Sequence, residues 1–118
     1  ELVAYINNYK WAHFMIFPSR FDAAGIVPSE AAAFGLPTIT NDTGGLRTTV
    51  EDGVSGIVLP KQSPPNAYAD VVESYINSPV AYEKLRLSTY RRYQEKLNWE
   101  AFGKQIIEII NDLVTQEK

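Results

Sequence analysis

Apolar positions along this chain change their spacing several times, and each change marks an element. Leu2, Ile6 and Tyr9 share one helical stripe, which predicts a short amphipathic helix over residues 2–12. The run His13 to Phe17 (HFMIF) is unbroken, the pattern of a strand buried on both faces, and Pro18 ends it. A loop with Arg20, Phe21, Asp22 and Gly25 follows. SEAAAF then reads as a helix, with Pro28 acceptable in its first turn and Gly35 closing it. Pro37 to Thr40 (PTIT) predicts a second short strand and Asn41 to Gly45 (NDTGG) a tight loop. Residues 46–51 form at most a short helix, stopped by Asp52-Gly53, and Ser55 to Leu59 (SGIVL) is a third strand.

Strand, loop and helix thus alternate with crossovers too long for hairpins, which predicts an α/β fold with a parallel sheet and right-handed connections. The strands near 14–17, 38–40 and 56–59 should lie side by side in chain order, with 14–17 at an edge. After Pro60 the pattern becomes helical throughout. Asn66 is the expected cap of a helix over 67–77, Pro79 starts another running to about Leu97, and Asn98 caps a third to about Thr115. In that last helix Phe102, Ile106, Ile109, Ile110, Leu113 and Val114 make an apolar face wider than one stripe, so part of it should lie exposed. KQSPP (61–65) is too short to separate domains, and residues 1–118 read as a single one.

Composition narrows the chemistry. With 118 residues the chain can build one small core, and no cysteine is present for disulfides or thiolate chemistry. His13 is the sole histidine, which argues against a zinc site or a histidine-based triad. No apolar run approaches the length of a membrane span. The opening ELVAYINNYKWA lacks an initiator Met and begins directly on an amphipathic pattern, as the inside of a domain would, so the chain is expected to be a fragment. The net charge of −3 offers no general attraction to nucleic acid. Residues 1–60 carry three basic groups (Lys10, Arg20, Arg47) against six acidic ones, so a diphosphate bound there would depend on backbone amides or on basic groups from elsewhere.

The stretch PSRFDAAGIVPSEAAAFGLPTITNDTGG, residues 18–45, carries the candidate chemistry. A buried strand delivers a loop at its C-terminal end, where open α/β sheets place ligands. That loop holds the carboxylate Asp22, then Gly25, where a backbone can approach a ligand closely. A helix starts just after, with amides suited to a phosphate. Glu30 lies about a turn further on, in an Ala-rich helix expected to be buried, and a carboxylate there can accept from two adjacent hydroxyls such as those of a ribose. Thr43-Gly44-Gly45 forms a second loop at the same crevice. This arrangement suits a nucleotide sugar.

The same residues resemble the donor-binding motif of the retaining glycosyltransferases of family 4, also called glycosyltransferase group 1, which have the GT-B fold. The matching segments are Pro18-Ser19, Asp22-Ala23-Ala24-Gly25, Glu30-Ala31, Gly35-Leu36-Pro37, Thr43-Gly44-Gly45 and Asp52-Gly53-Val54-Ser55-Gly56, in order and in register. Asn98-Trp99-Glu100 resembles the family's closing Trp segment. The resemblance implies a partial Rossmann-like C-terminal donor domain, with earlier strands and an N-terminal acceptor domain belonging before Glu1. It implies transfer of a sugar, hexosyl in type, from a nucleoside-diphosphate-sugar to a hydroxyl acceptor on a glycan or lipid-linked sugar. Polysaccharide, lipopolysaccharide or glycoconjugate biosynthesis would be the setting, in the cytoplasm or at the membrane's cytoplasmic face. No metal or further cofactor is implied. By the same resemblance Asp22 lies near the reacting carbon, as nucleophile or electrostatic stabiliser, and Glu30 binds the ribose hydroxyls. Gly25, Ile26 and Val27 offer backbone contacts to sugar and diphosphate, and Thr43 and Gly44 line the cleft. Asp22 stands where the family has Glu, and Ala24 where it has Phe.

Plainer readings stand beside these. Asp22 also suits a helix cap or an Asx turn, and Gly44-Gly45 a simple turn. Arg20 reads as a surface or structural residue, His13 as a packed side chain, and Trp11 and Trp99 as core or interface residues. Tyr90-Arg91-Arg92-Tyr93 points in different directions on a helix, which favours a solvated face over a nucleic-acid stacking platform. A non-catalytic nucleotide-sugar-binding or assembly module is the alternative function, supported by the Asp22 and Ala24 departures. A GT-B sugar epimerase is a second rival, which would be expected to carry a different phosphate-site pattern.

Overall fold

The computed structural model describes residues 2–20 and 26–116. Helix α1 (Leu2–Trp11) leads into strand β1 (Met15–Phe17), followed by α2 (Ile26–Ala33), β2 (Thr38–Asn41), α3 (Leu46–Thr49) and β3 (Gly56–Leu59). Helices α4 (Pro65–Ile76) and α5 (Pro79–Arg92) follow, then a wide π-helical turn (Tyr93–Leu97) and α6 (Trp99–Gln116). The three strands form one parallel sheet in the order β1-β2-β3. Met15 pairs with Thr38, and Thr38 in turn with Gly56, so the strand starts are level and their C-terminal ends open on the same side.

The central strand β2 is buried along its whole length, as a strand with a neighbour on each side should be. Ile39 and Leu46 are fully buried, and each such side chain contributes roughly 1.5–3 kcal/mol by leaving water. β1 is shorter than its apolar run. His13 and Phe14 precede it, and the pleat sends Ile16 to the face opposite Met15 and Phe17, where it is half exposed. Among the described residues β1 pairs only with β2. Tyr9 of α1 packs with Ala31 and Leu36 in a small cluster that Ala12 and Met15 complete. Trp11 and Trp99 are not core residues, since both are largely exposed; His13 is exposed too, but its ring lies against that of Tyr82.

Two glycines are required by the backbone. Gly35 has φ of 67° and closes α2 in a Schellman arrangement, with its own N–H on the Ala32 carbonyl and that of Leu36 on Ala31. Gly56 has φ of 153°, and a Cβ there would lie 1.9 Å from the Thr38 carbonyl oxygen, so only glycine lets β3 approach β2 at that point.

Capping departs from the sequence expectation at α4. Asn66 sits inside the helix rather than at its cap. Pro64 is the cap residue and Pro65 occupies the first turn, where a residue with fixed φ and no N–H to satisfy starts a helix well. Asn98 behaves as expected. Its Oδ1 accepts from the Ala101 N–H at 2.8 Å, and its Nδ2 also donates to the Tyr93 and Gln94 carbonyls that the π-helical turn leaves over. Arg92 is the docked member of the Tyr90–Tyr93 group. Its guanidinium donates to the Thr48 and Thr49 carbonyls at the end of α3 and pairs with Glu51 at 2.7 Å. Arg91 remains exposed. All six apolar residues of the α6 face are exposed, so this helix extends away from the sheet core.

Candidate functional site

At the C-terminal ends of the strands, polar side chains of β2 and its following loop tie neighbouring segments together. Thr40, fully buried, donates its hydroxyl to the Phe17 carbonyl at 2.7 Å. Asn41 accepts from the Ser19 N–H at 2.7 Å through Oδ1, while its Nδ2 donates to the Ser19 carbonyl and, at 3.2 Å, to that of Lys61. Thr43 donates to the Arg20 carbonyl at 2.8 Å. The backbone from Phe17 to Arg20 is thereby stitched to β2, and β2 to the chain leaving β3. A loop at the end of a two-partner sheet would otherwise have to solvate these carbonyls; here each has an internal donor. Among the described residues no fully buried side-chain nitrogen or oxygen lacks a partner.

Of the expected site residues, Asp22 and Gly25 lie outside the described residues. Ile26 and Val27 open α2 and are both exposed. Pro28 has no N–H, so the first-turn amides of α2 are those of Ile26, Val27 and Ser29. Glu30, the fifth residue of α2, is exposed rather than buried, since the helix turns Pro28, Ala31 and Ala32 inward. A carboxylate on the open face is accessible to hydroxyl groups of a ligand. Thr43 is buried and its hydroxyl proton serves the Arg20 carbonyl, so it holds the chain at Arg20 to the loop after β2. Gly44 beside it is exposed, with φ of 55°.

Charge at the rim is largely compensated. Arg47 pairs with Asp42 at 2.8 Å, both well exposed, which holds α3 against the loop that precedes it. The segment Asp52 to Gly56 works as a folding device. Asp52 accepts from the Val58 N–H at 2.9 Å, Ser55 accepts from the Glu51 N–H at 2.9 Å, and the Ser55 carbonyl receives the Thr38 N–H. An apolar groove of about 450 Å³, lined by residues including His13, Phe14, Tyr75 and Tyr82, lies on the β1 side at the opposite, N-terminal end of the strands. Tyr82 donates there to the His13 carbonyl at 2.9 Å, and burial raises its phenol above the usual tyrosine range. Among the described residues no cluster of His, Asp or Glu suits a metal ion, and no helix is long and apolar enough to cross a membrane.

Asn41 and Thr40 carry no mark in the sequence that separates them from ordinary strand residues; their importance rests on partners some twenty positions away. The relation to known proteins is direct. Residues 1–96 match the family Glycosyl transferases group 1. The chain belongs to that family. The D-inositol 3-phosphate glycosyltransferase of Thermomonospora curvata is 32% identical over 101 residues, covering 86% of this chain and 23% of that protein. The alpha-D-kanosaminyltransferase of Streptomyces kanamyceticus is 29% identical over 99 residues, 84% of this chain and 25% of that one. Among solved structures, sucrose-phosphate synthase from Thermosynechococcus elongatus superposes with a TM-score of 0.75 at 30% identity, covering 92% of this chain and 27% of that chain. HepE of Anabaena, solved in complex with UDP, gives a TM-score of 0.77 at 18% identity, covering 89% and 29%. The parallel α/β architecture is that of the GT-B glycosyltransferases. The chain spans about a quarter of the length of these group 1 relatives.

Proposed function

We propose that this chain supplies the donor-binding domain of a retaining, family 4-type glycosyltransferase that moves a sugar from a nucleoside diphosphate to a hydroxyl acceptor. The observation that carries the reading is the meeting of three features at one end of the sheet: the stem at Ser19–Arg20, the Thr43–Gly44 loop, and the start of α2 with Glu30 exposed one turn on. The first-turn amides of α2 and its positive dipole end favour the donor diphosphate. Glu30 takes the ribose hydroxyls, Gly25, Ile26 and Val27 contact sugar and diphosphate through their backbones, and Gly44 lines the crevice. Asp22 contributes negative charge near the reacting carbon, where an oxocarbenium-like transition state gains from it. With so few basic groups in residues 1–60, neutralisation of the departing diphosphate falls to these amides and to basic residues outside the chain. No metal or resident cofactor enters this scheme. The parent enzyme would act in the cytoplasm, and its acceptor is a hydroxyl compound.

The test is calorimetric binding of UDP-, GDP- and ADP-glucose to the full-length protein, followed by the same titration with Glu30→Ala. A hydrogen bond to a charged group is worth about 1.5–3 kcal/mol, so the variant should bind the preferred donor roughly 10- to 150-fold more weakly. A donor with a 2′-deoxyribose should lose less. Equal losses for the two donors would remove Glu30 from the ribose, and a wild type that binds none of the panel would overturn the donor reading. Binding without turnover would favour a non-catalytic module.

A further inference from the structure

Resting on that reading, we infer that Gly44, Gly45 and Arg47 form a phosphate-binding element for the nucleotide donor, in which Arg47 exchanges Asp42 for the diphosphate. Gly44 has φ of 55°, and Gly45 has φ of −88° with ψ of 10°, so a left-handed residue is followed by a right-handed one. Alternation of that kind turns successive N–H groups toward one side and makes an anion-binding concavity. Among the described residues neither N–H has an acceptor. Gly44 is exposed and Gly45 half-buried, so a ligand has access to this turn. Arg47 follows two residues later. Asp42 draws its guanidinium back toward the turn, Nε to Oδ1 at 2.8 Å. Asp42 is itself fixed, since its N–H donates to the Leu59 carbonyl at 2.8 Å, and the fully buried Leu46 anchors the far side of the turn. The guanidinium therefore stands near the C-terminal ends of β2 and β3, on a helix that lies next to α2.

The pair with Asp42 is replaceable. Its side chains are 60% and 43% exposed, and water screens an ion pair in that setting, so little holds the two together. A phosphate accepts the guanidinium fork in bidentate fashion, and a diphosphate brings more negative charge than one carboxylate. The Gly44 and Gly45 amides add donors to the same anion. Asp42 thus holds the guanidinium in the free protein and competes with the ligand for it. Arg47 is one of only three basic residues in 1–60, and Lys10 lies in α1, ahead of β1 at the other end of the strands. The element therefore adds a cation from inside this chain to the amides and outside groups that neutralise the diphosphate.

The experiment titrates the full-length protein with UDP, GDP and ADP and follows the one that the wild type binds best. Arg47→Gln should weaken that diphosphate by about tenfold or more, the worth of a hydrogen bond to a charged group. Asp42→Asn frees the guanidinium and should tighten it by about two- to fivefold, the worth of an exposed pair. The opposite signs are the signature, because a strap that only shapes the loop would be cut equally by both changes. Arg47→Lys keeps the charge but not the fork and should bind about threefold or more weakly. If circular dichroism shows Arg47→Gln unfolded, Arg47→Lys and Asp42→Asn decide. Weaker binding in Asp42→Asn, unchanged binding in Arg47→Gln, or an Arg47→Lys as tight as the wild type would each overturn the inference and leave the donor reading standing. A wild type that binds none of the three diphosphates removes both.

Discussion

Substituting Gly56 by alanine separates the structural from the ligand-binding content of the segment Asp52 to Gly56. The added Cβ would lie 1.9 Å from the Thr38 oxygen, 2.9 Å from the Thr38 carbonyl carbon and 2.9 Å from Val50 Cγ1. Ordinary contact begins near 3.4 Å, so the strands must part by about 1.5 Å. Thr38 cannot yield, because it belongs to the central strand and is 1% exposed. The backbone at φ of 153° adds its own penalty for a side chain. Strain of about 1–3 kcal/mol and overpacking of about 1–3 kcal/mol give a loss of about 2–6 kcal/mol. Domains of this size hold only about 5–15 kcal/mol in all. Urea unfolding followed by circular dichroism measures it, and a loss near 4 kcal/mol lowers the midpoint by more than about 1 M. Two comparison variants calibrate the result. Gly53→Ala has φ of 79° but nothing within 4 Å, so it should cost only about 1–2 kcal/mol. Gly103→Ala, in an open helical position, should gain about 0.5–1 kcal/mol. If Gly56→Ala unfolds together with Gly53→Ala, the close approach of β3 to β2 is not what demands glycine, and the reasoning fails.

Arg92→Ala should destabilise the chain by about 1.5–3 kcal/mol, because it strips the Thr48 and Thr49 carbonyls and Glu51 of a charged donor whose side chain is 11% exposed; thermal melts check this. Arg92→Lys should recover only part of the loss, since one ammonium cannot reproduce the guanidinium fork. The isolated 118-residue chain should show no sugar transfer to any acceptor in a radiolabel assay, and measurable transfer would overturn the division of the site between this chain and residues outside it. On α6, Ile109→Glu and Leu113→Glu should each change the stability of the isolated chain by no more than about 0.5 kcal/mol, because both side chains are more than half exposed. A loss above about 2 kcal/mol would mean that the face packs against residues 1–97.

The sheet was legible because parallel topology follows from local signals: short β-rich runs, turn residues, and crossovers too long for hairpins. The order of strands and the edge position of β1 came from the same reasoning. Side-chain placement was less legible. The Ala-rich composition of α2 suggested a buried Glu30, yet burial in a helix is set by angle, and Pro28, Ala31 and Ala32 take the inner face. Asn66 looked like a cap because Asn is common there, but Pro65 already starts the helix. The unbroken HFMIF run suggested full burial, while the pleat sends Ile16 to the face opposite Met15 and Phe17, where it is half exposed. The Asn41 network was invisible because nothing local distinguishes an Asn that bonds to Ser19 and Lys61 from one that turns a loop.

The motif residues divide by exposure, and the division has a physical basis. Gly35, Gly56, Ser55 and Thr43 are buried and occupied by the fold: two supply backbone freedom and two supply hydrogen bonds that join neighbouring segments. Ile26, Val27, Glu30 and Gly44 are exposed at the strand ends and the start of α2. A residue buried with its hydrogen bonds satisfied has little left to offer a ligand, and its loss appears in stability. An exposed residue at the crevice costs the fold little, and its loss should appear in affinity.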